Sequence, residues 1–161
     1  MKKIKLFEAF AGYGGASFGL RRSKIPFETV GFSEIDKFAI QFYKNNHPPT
    51  KNFGDITKID PKDIPDFDLF TGGFPCQPFS QAGYKKGFSE ELEKRGNMFF
   101  VIRDIISEKR PDAIFLENVR HLVNHDGGRT FTIIKDILEN ELEYKIVHKV
   151  VKGRGLLWFC A

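Results

Sequence analysis

Residues 4–8 make a short strand-like run, Ala11-Gly12-Tyr13-Gly14-Gly15 form a glycine-rich turn, and residues 16–22 read as a helix. A strand that enters a helix through glycines opens a nucleotide-type α/β unit, because the glycines let backbone and ligand approach closely. The alternation continues. Residues 27–33 read as a second strand, and 36–45 as a helix with Ala39, Phe42 and Tyr43 on one face. Asp55-Ile56 reads as the end of a short third strand, and 67–71 as the fourth. Helical spacing returns over 96–109, with Phe99, Ile102 and Ile106 in one stripe before Pro111, and 113–118 is an apolar fifth strand. A helix over 126–140 carries Ile133, Ile134, Ile137 and Leu138, and alternation over 144–151 predicts a half-covered sixth strand. Strands alternating with helices imply an α/β fold with a mostly parallel sheet covered on both faces.

A chain of 161 residues has room for one domain, which buries roughly 70% of the surface exposed when unfolded. With 41% apolar and 29% charged residues it is an ordinary globular composition, although 18 phenylalanines make the core aromatic. The net charge of +4 permits a polyanionic partner without requiring one. Cys76 and Cys160 are too few and too far apart for a disulfide framework or a four-ligand zinc site, and His47, His121, His125 and His148 form no metal-binding repeat. No metal is expected. Glu8 interrupts any signal-peptide core behind the basic start, and no stretch reaches transmembrane length, so the expectation is cytoplasmic with no membrane partner.

In open α/β sheets ligands sit beyond the carboxyl ends of the strands. The residues with chemistry fall there: the glycine turn after strand one, Glu34 after strand two, Asp55 after strand three, Pro75-Cys76 after strand four, Glu117-Asn118 after strand five. Glu34 lies 20 residues beyond Gly14, the spacing of an acid that binds ribose hydroxyls, so an adenosine-containing cofactor is expected. A nicotinamide cofactor fits the same spacing, with Ser17 in place of the third fingerprint glycine weighing against it. Prolines at 75 and 78 flank Cys76 and Gln77, which stiffens the turn that presents the thiol. Glu117, behind the apolar Ile114-Phe115-Leu116, is expected to be partly desolvated and suited to holding a proton; an ion pair with Arg120 or a lysine is the rival reading. Residues 74–96 lack periodicity and read as a lid.

These residues resemble, in order and spacing, the early motifs of DNA (cytosine-5)-methyltransferases. The resemblance is carried by Phe10-Ala11-Gly12-Tyr13-Gly14-Gly15, Glu34-Ile35-Asp36, Gly54-Asp55-Ile56, Gly73-Phe74-Pro75-Cys76-Gln77-Pro78-Phe79-Ser80, Arg95-Gly96-Asn97-Met98-Phe99-Phe100 and Glu117-Asn118-Val119. It covers about Lys3 to Val151. It implies a Rossmann-like fold that uses S-adenosyl-L-methionine, with Cys76, Glu117 and Asn118 as the catalytic group. Cys76 would attack C6 of a cytosine, and Glu117 would hold N3. Phe10, Ala11, Gly12, Gly14, Gly15, Glu34, Ile35, Asp55, Ile56, Gly73, Pro75 and Met98 would line the cofactor pocket. Double-stranded DNA is the implied partner, with the cytosine swung out of the stack and Gln77, Ser80, Gln81, Lys85, Lys86 and Arg95 as DNA contacts.

The family's Gln-x-Arg-x-Arg segment, target-recognition domain and closing helix are not visible, and Arg154 does not stand in the family pattern. The expected organisation is an incomplete catalytic domain over 1–151, whose sheet stops before its last strand, and an atypical tail over 152–161. Residues 156–159 read either as a stub of that strand or as an unrelated tail. An apolar flank near Phe7 and Phe18 is expected to lack its cover, which predicts self-association or a second polypeptide that completes the fold. The chain is accordingly read as part of a restriction-modification methyltransferase, with a non-catalytic remnant or one subunit of a split enzyme as the alternative. A nicotinamide oxidoreductase ranks third.

Overall fold

The computed structural model describes residues 2–75, 98–151 and 156–160, the last as backbone. In chain order the elements are β1 (Ile4–Ala9), α1 (Gly15–Arg22), β2 (Phe27–Ser33), α2 (Lys37–Asn46), β3 (Leu69–Gly73), α3 (Met98–Lys109), β4 (Ala113–Val119), α4 (Arg129–Asp136), β5 (Val147–Val151) and β6 (Leu156–Cys160). They build one sheet of order β2-β1-β3-β4-β6-β5. The first four strands in that order pair in parallel, whereas β6 runs antiparallel to both β4 and β5. The fold is α/β with a largely parallel sheet, as the alternation implies.

Successive residues of β1 face opposite sides of the sheet, and the sequence uses both. Phe7 points into the main core, where it stacks on Phe67 at 5.4 Å and Phe70 at 6.0 Å and meets Phe53 edge-on. Phe99, Ile102, Ile105 and Ile106 of α3 and Ile134 of α4 complete that core. Leu6 and Glu8 face the other way, where Phe32 stacks on Tyr43 of α2 at 4.0 Å. The burial of Phe7 corrects the expectation of an open flank beside it; Phe18 is the exposed member of that pair.

Four local expectations change. Asp55-Ile56 ends no strand: Asn52 makes a single bridge to Phe32, and the aspartates 55 and 60 cap short 3-10 turns by accepting the amides of Thr57 and Lys62. Such side-chain-to-backbone bonds compete with strand pairing. The fourth helix starts at Arg129 rather than 126 because Asp126, Gly127 and Gly128 are left-handed, and it ends in a π-helical turn over Ile137–Glu141. On α2 only Ala39 and Tyr43 are buried, and Phe42 is exposed against Tyr13. Strand β5 is exposed along its whole length instead of half-covered, as befits an edge strand. Of the two readings of 156–159, the strand is the one the fold contains: β6 sits between β4 and β5, so the sheet does not stop at β5.

Candidate functional site

Strand register brings the chemistry-bearing ends to one level. Ala9 pairs with Ser33 on one side and with Gly72 on the other, and Gly73 pairs with Glu117. Glu34, Phe10, Gly73 and Glu117 therefore form a row along the carboxyl edge. Four neighbouring strands at this spacing span about 15 Å. The chain reverses its direction of growth between β1 and β3, which is the switch point where α/β sheets bind ligands.

Three alternate residues of the turn after β1 are left-handed: Phe10, Gly12 and Gly14 have φ of 51°, 55° and 81°. A left-handed phenylalanine is strained and persists only where its surroundings fix it. Ala11 donates to the Ser33 carbonyl at 3.0 Å, and the Gly12 amide donates to Glu34 Oε2 at 2.8 Å. Glu34 Oε1 accepts the amides of Ile35 and Asp36 at 2.8 and 2.9 Å. One carboxylate thus ties the glycine turn to the turn after β2. Gly14 is required twice over, because besides its φ an added Cβ would lie 2.9 Å from Tyr43 and collide with the His47 ring. Around Gly12 and Gly15 there is open space, which leaves room for a ligand.

Asp55 reaches the same edge without a strand. Asn52 Oδ1 accepts the amides of Glu34 and Gly54, its Nδ2 donates to the Glu34 carbonyl at 3.0 Å, and Ser33 Oγ donates to the Gly54 carbonyl at 2.6 Å. These bonds fasten residues 52–54 beside the end of β2. The Asp55 carboxyl accepts from Thr57 Oγ1 at 2.7 Å and pairs with Lys58 at 3.3 Å; the Thr57 hydrogen bonds hold it below the usual carboxylate range. Ile35 is exposed, Met98 is partly buried at the start of α3, and Ile56 is buried in the core cluster, so the Ile56 side chain serves packing.

At the other end of the row, Glu117 is half-buried, and burial alone raises its pKa. Among the described residues no hydrogen bond or ion pair reaches its carboxyl, which removes the Arg120 pairing as an explanation. Its Oε2 lies 2.6 Å from where a Cβ on Gly73 would stand, so the carboxyl leans over a space that only glycine leaves open. Asn118, 3% exposed, donates Nδ2 to the Phe74 carbonyl at 2.8 Å and accepts the Val119 amide at 2.8 Å. Phe74 itself packs on Phe99 at 5.8 Å. Asn118 thereby ties the end of β4 to the turn at Phe74 and Pro75.

Cys76, Gln77, Ser80, Gln81, Lys85, Lys86 and Arg95, together with most of the expected lid, lie outside the described residues. Sequence reading missed Glu8, Tyr43, His47 and Asn52, all of which shape the row. Glu8 draws three donors, and His47 Nε2 lies 3.0 Å from the Tyr13 carbonyl. A carboxylate facing a helix start has a composition signal only once the packing of α1 and α2 is known.

Comparison with known proteins covers nearly the whole chain. The family model for C-5 cytosine-specific DNA methylase matches residues 4–154. The type II methyltransferase M1.ScrFI of Lactococcus lactis subsp. cremoris is 51% identical over 152 residues, which are 94% of this chain and 38% of that protein. M.NlaX of Neisseria lactamica is 46% identical over 94% of this chain and 47% of its own length. Among solved structures, the S. pombe Dnmt2 methyltransferase superposes with a TM-score of 0.73 at 19% identity, covering 98% of this chain and 48% of that one. A DNA modification methyltransferase described as putative, from an E. coli prophage, gives 0.72 at 22% identity over 98% and 46%. The chain thus spans less than half the length of these relatives.

Proposed function

From the premise that this chain belongs to the C-5 cytosine-specific DNA methylase family, we propose that it is the cofactor-binding and catalytic part of a cytoplasmic restriction-modification enzyme that methylates C5 of cytosine in double-stranded DNA. The observation that carries the proposal is the Glu117 carboxyl, desolvated and unpartnered among the described residues, leaning over Gly73 two residues before Pro75-Cys76.

The residues present fit S-adenosylmethionine: there is open space over Gly12 and Gly15 and an acid at the β2 end. Bound there, the cofactor supplies an electrophilic methyl group. Glu34, tied to the Gly12 amide, would hold its ribose side, and Asp55 would hold the amine of its base. Glu117 holds a proton toward N3 of the flipped cytosine, for which its raised pKa suits it. The Cys76 thiolate forms a bond to C6, and the ring electron pair moves to C5, which becomes the methyl acceptor. Loss of the C5 proton to a base then re-forms the double bond and expels the thiolate. Asn118 keeps the Phe74 carbonyl, and with it the approach to Cys76, in place. Gln77, Ser80, Gln81, Lys85, Lys86 and Arg95 are the proposed DNA contacts.

Tyr13, Phe38 and Phe42 are 61%, 71% and 42% exposed and, with Phe18, lie about the α1–α2 side. This apolar surface supports a second part of the proposal, that a further polypeptide carrying the target-recognition region, or a second copy, covers it. Alone, the 161 residues are expected to bind S-adenosylmethionine weakly and to leave DNA unmethylated. The chemistry is tested with a 5-fluorocytosine duplex and cofactor, with and without a target-recognition polypeptide. We expect a covalent adduct with that polypeptide present, abolished by Cys76→Ser and slowed about 100-fold by Glu117→Gln. Equal adduct from Cys76→Ser would falsify the nucleophile, and robust methyl transfer by the chain alone would refute the need for completion.

A further inference from the structure

We infer that Glu8 is a positioning residue for the glycine turn, a buried carboxylate that sets the shape of the cofactor site without touching the cofactor. Glu8 is 2% exposed at the end of β1 on the α1–α2 side. Three donors converge on it: the Ser17 amide at 3.1 Å and the Ser17 and Tyr43 hydroxyls at 2.6 Å each. The Ser17 hydroxyl also lies 3.1 Å from Thr29 Oγ1 on β2. Burying an acid this deeply is costly unless each lone pair is used. Among the described residues no lysine or arginine pairs with it, and its stabilisation there comes from these hydroxyls and from the start of a helix.

That helix start is itself incomplete. Gly14, the N-cap of α1, has no side chain to accept first-turn amides, and such amides require a partner. Glu8 supplies one from the neighbouring strand, and negative charge there is favoured by the helix dipole. The other contact runs to α2. Tyr43 donates to Glu8, and its hydroxyl pKa is raised by burial and by the Glu8 charge, so it stays a donor. One turn further, the His47 ring packs tilted against Tyr43 at 4.3 Å, and its Nε2 bonds the Tyr13 carbonyl within the turn. Carboxylate, phenol and imidazole together form a brace behind residues 10–15. The Gly12 amide then reaches Glu34 at the front.

This inference rests on the cofactor reading for its consequence, but its structural half is independent of it. The test uses the 161-residue chain as wild type, Glu8→Gln, Glu8→Asp, Tyr43→Phe and the double variant Glu8→Gln/Tyr43→Phe. Amide exchange is measured at residues 11–18 and at Leu6, Phe70 and Ile114, together with affinity for S-adenosylhomocysteine well below each unfolding temperature. We expect Glu8→Gln to speed exchange in 11–18 about tenfold while the strand amides hold, the size of a lost helix cap. Affinity should fall by a similar factor, Glu8→Asp should not restore it, and Tyr43→Phe should add little once Glu8 is gone. Exchange that rises equally in the strands, or Tyr43→Phe acting equally in both backgrounds, overturns the inference. So does unchanged S-adenosylhomocysteine affinity in a folded Glu8→Gln. Should Glu8→Gln fail to fold, Tyr43→Phe alone decides, since it must still loosen 11–18 selectively. A wild-type chain that binds no S-adenosylhomocysteine sinks the cofactor reading for this chain, and the exchange comparison still decides the role of Glu8.

Discussion

At the scale of single residues, the pairing of Gly73 with Glu117 is the most sensitive point of the site. A methyl group at 73 would stand 2.6 Å from Glu117 Oε2. The carboxyl ends a flexible side chain and can swing aside, so the cost falls on geometry more than on stability. We expect Gly73→Ala to lose about 100-fold in 5-fluorocytosine trapping, the usual result of a small misplacement, with near wild-type thermal unfolding. Unchanged trapping would show that the carboxyl position is irrelevant. The Glu117 pKa gives a second prediction. It is raised by burial, so the folded state favours the protonated form. Stability from this group is present below the unfolded carboxyl pKa and is lost as pH rises through the higher folded value. Glu117→Gln should therefore unfold at a higher temperature than wild type at pH 8, with the difference closing by pH 4. A pH-independent difference contradicts the assignment. The placement of Glu117, Glu34 and the glycine turn on one sheet edge was legible in the sequence because each follows a strand-like run. The roles of Glu8 and His47 were not, since Tyr43 meets Glu8 across 35 residues and His47 meets Tyr13 across 34.

At the scale of elements, sequence patterning located strands and helices with strong periodicity and failed where side chains cap the backbone. Residues 27–33 form β2 as read, and the α3 stripe of Phe99, Ile102 and Ile106 is buried as read. Residues 52–58 misled because Asp55 and Thr57 look extended when Asp55 is in fact a cap: it accepts the Thr57 amide at 3.1 Å and its hydroxyl at 2.7 Å. Removing such a cap costs about 1 kcal/mol, so Asp55→Ala should lower urea stability by that amount at pH 7. The Asp55 pKa is lowered, chiefly by the Thr57 hydroxyl. Its contribution is thus present above the unfolded carboxyl pKa and lost as pH falls through the folded one, and the difference should fade near pH 2. A deficit that persists there would point to packing around Ile56 instead of the cap. Sheet alternation failed similarly in β5, where a pattern that reads as half-buried lies on an edge with every residue exposed.

At the scale of the molecule, the row of strand ends follows from topology. Parallel pairing of β2, β1, β3 and β4 sends four carboxyl ends to one edge, and the switch between β1 and β3 opens the crevice there. Alternating strands and helices made this much legible. The insertion of β6 between β4 and β5 left no local trace in the patterning, because it pairs antiparallel with β4 across about forty residues, and only the resemblance allowed 156–159 to be read as a stub of the last strand. The same topology leaves Tyr13, Phe38 and Phe42 on the outer side of α2, where Phe38 and Phe42 stand one turn apart and Phe42 meets Tyr13 at 4.8 Å. Three neighbouring exposed aromatic rings are more than scattered surface apolarity. They are absent from the core, so replacing them should leave the fold intact while removing the drive to associate. Phe38→Lys combined with Phe42→Glu is therefore expected to shift sedimentation of the 161-residue chain toward monomer at unchanged thermal stability. In the completed enzyme the same pair should weaken assembly with a covering polypeptide and leave the Glu117 environment alone. A chain that is already monomeric and soluble with its aromatic rings intact would show that this face needs no cover.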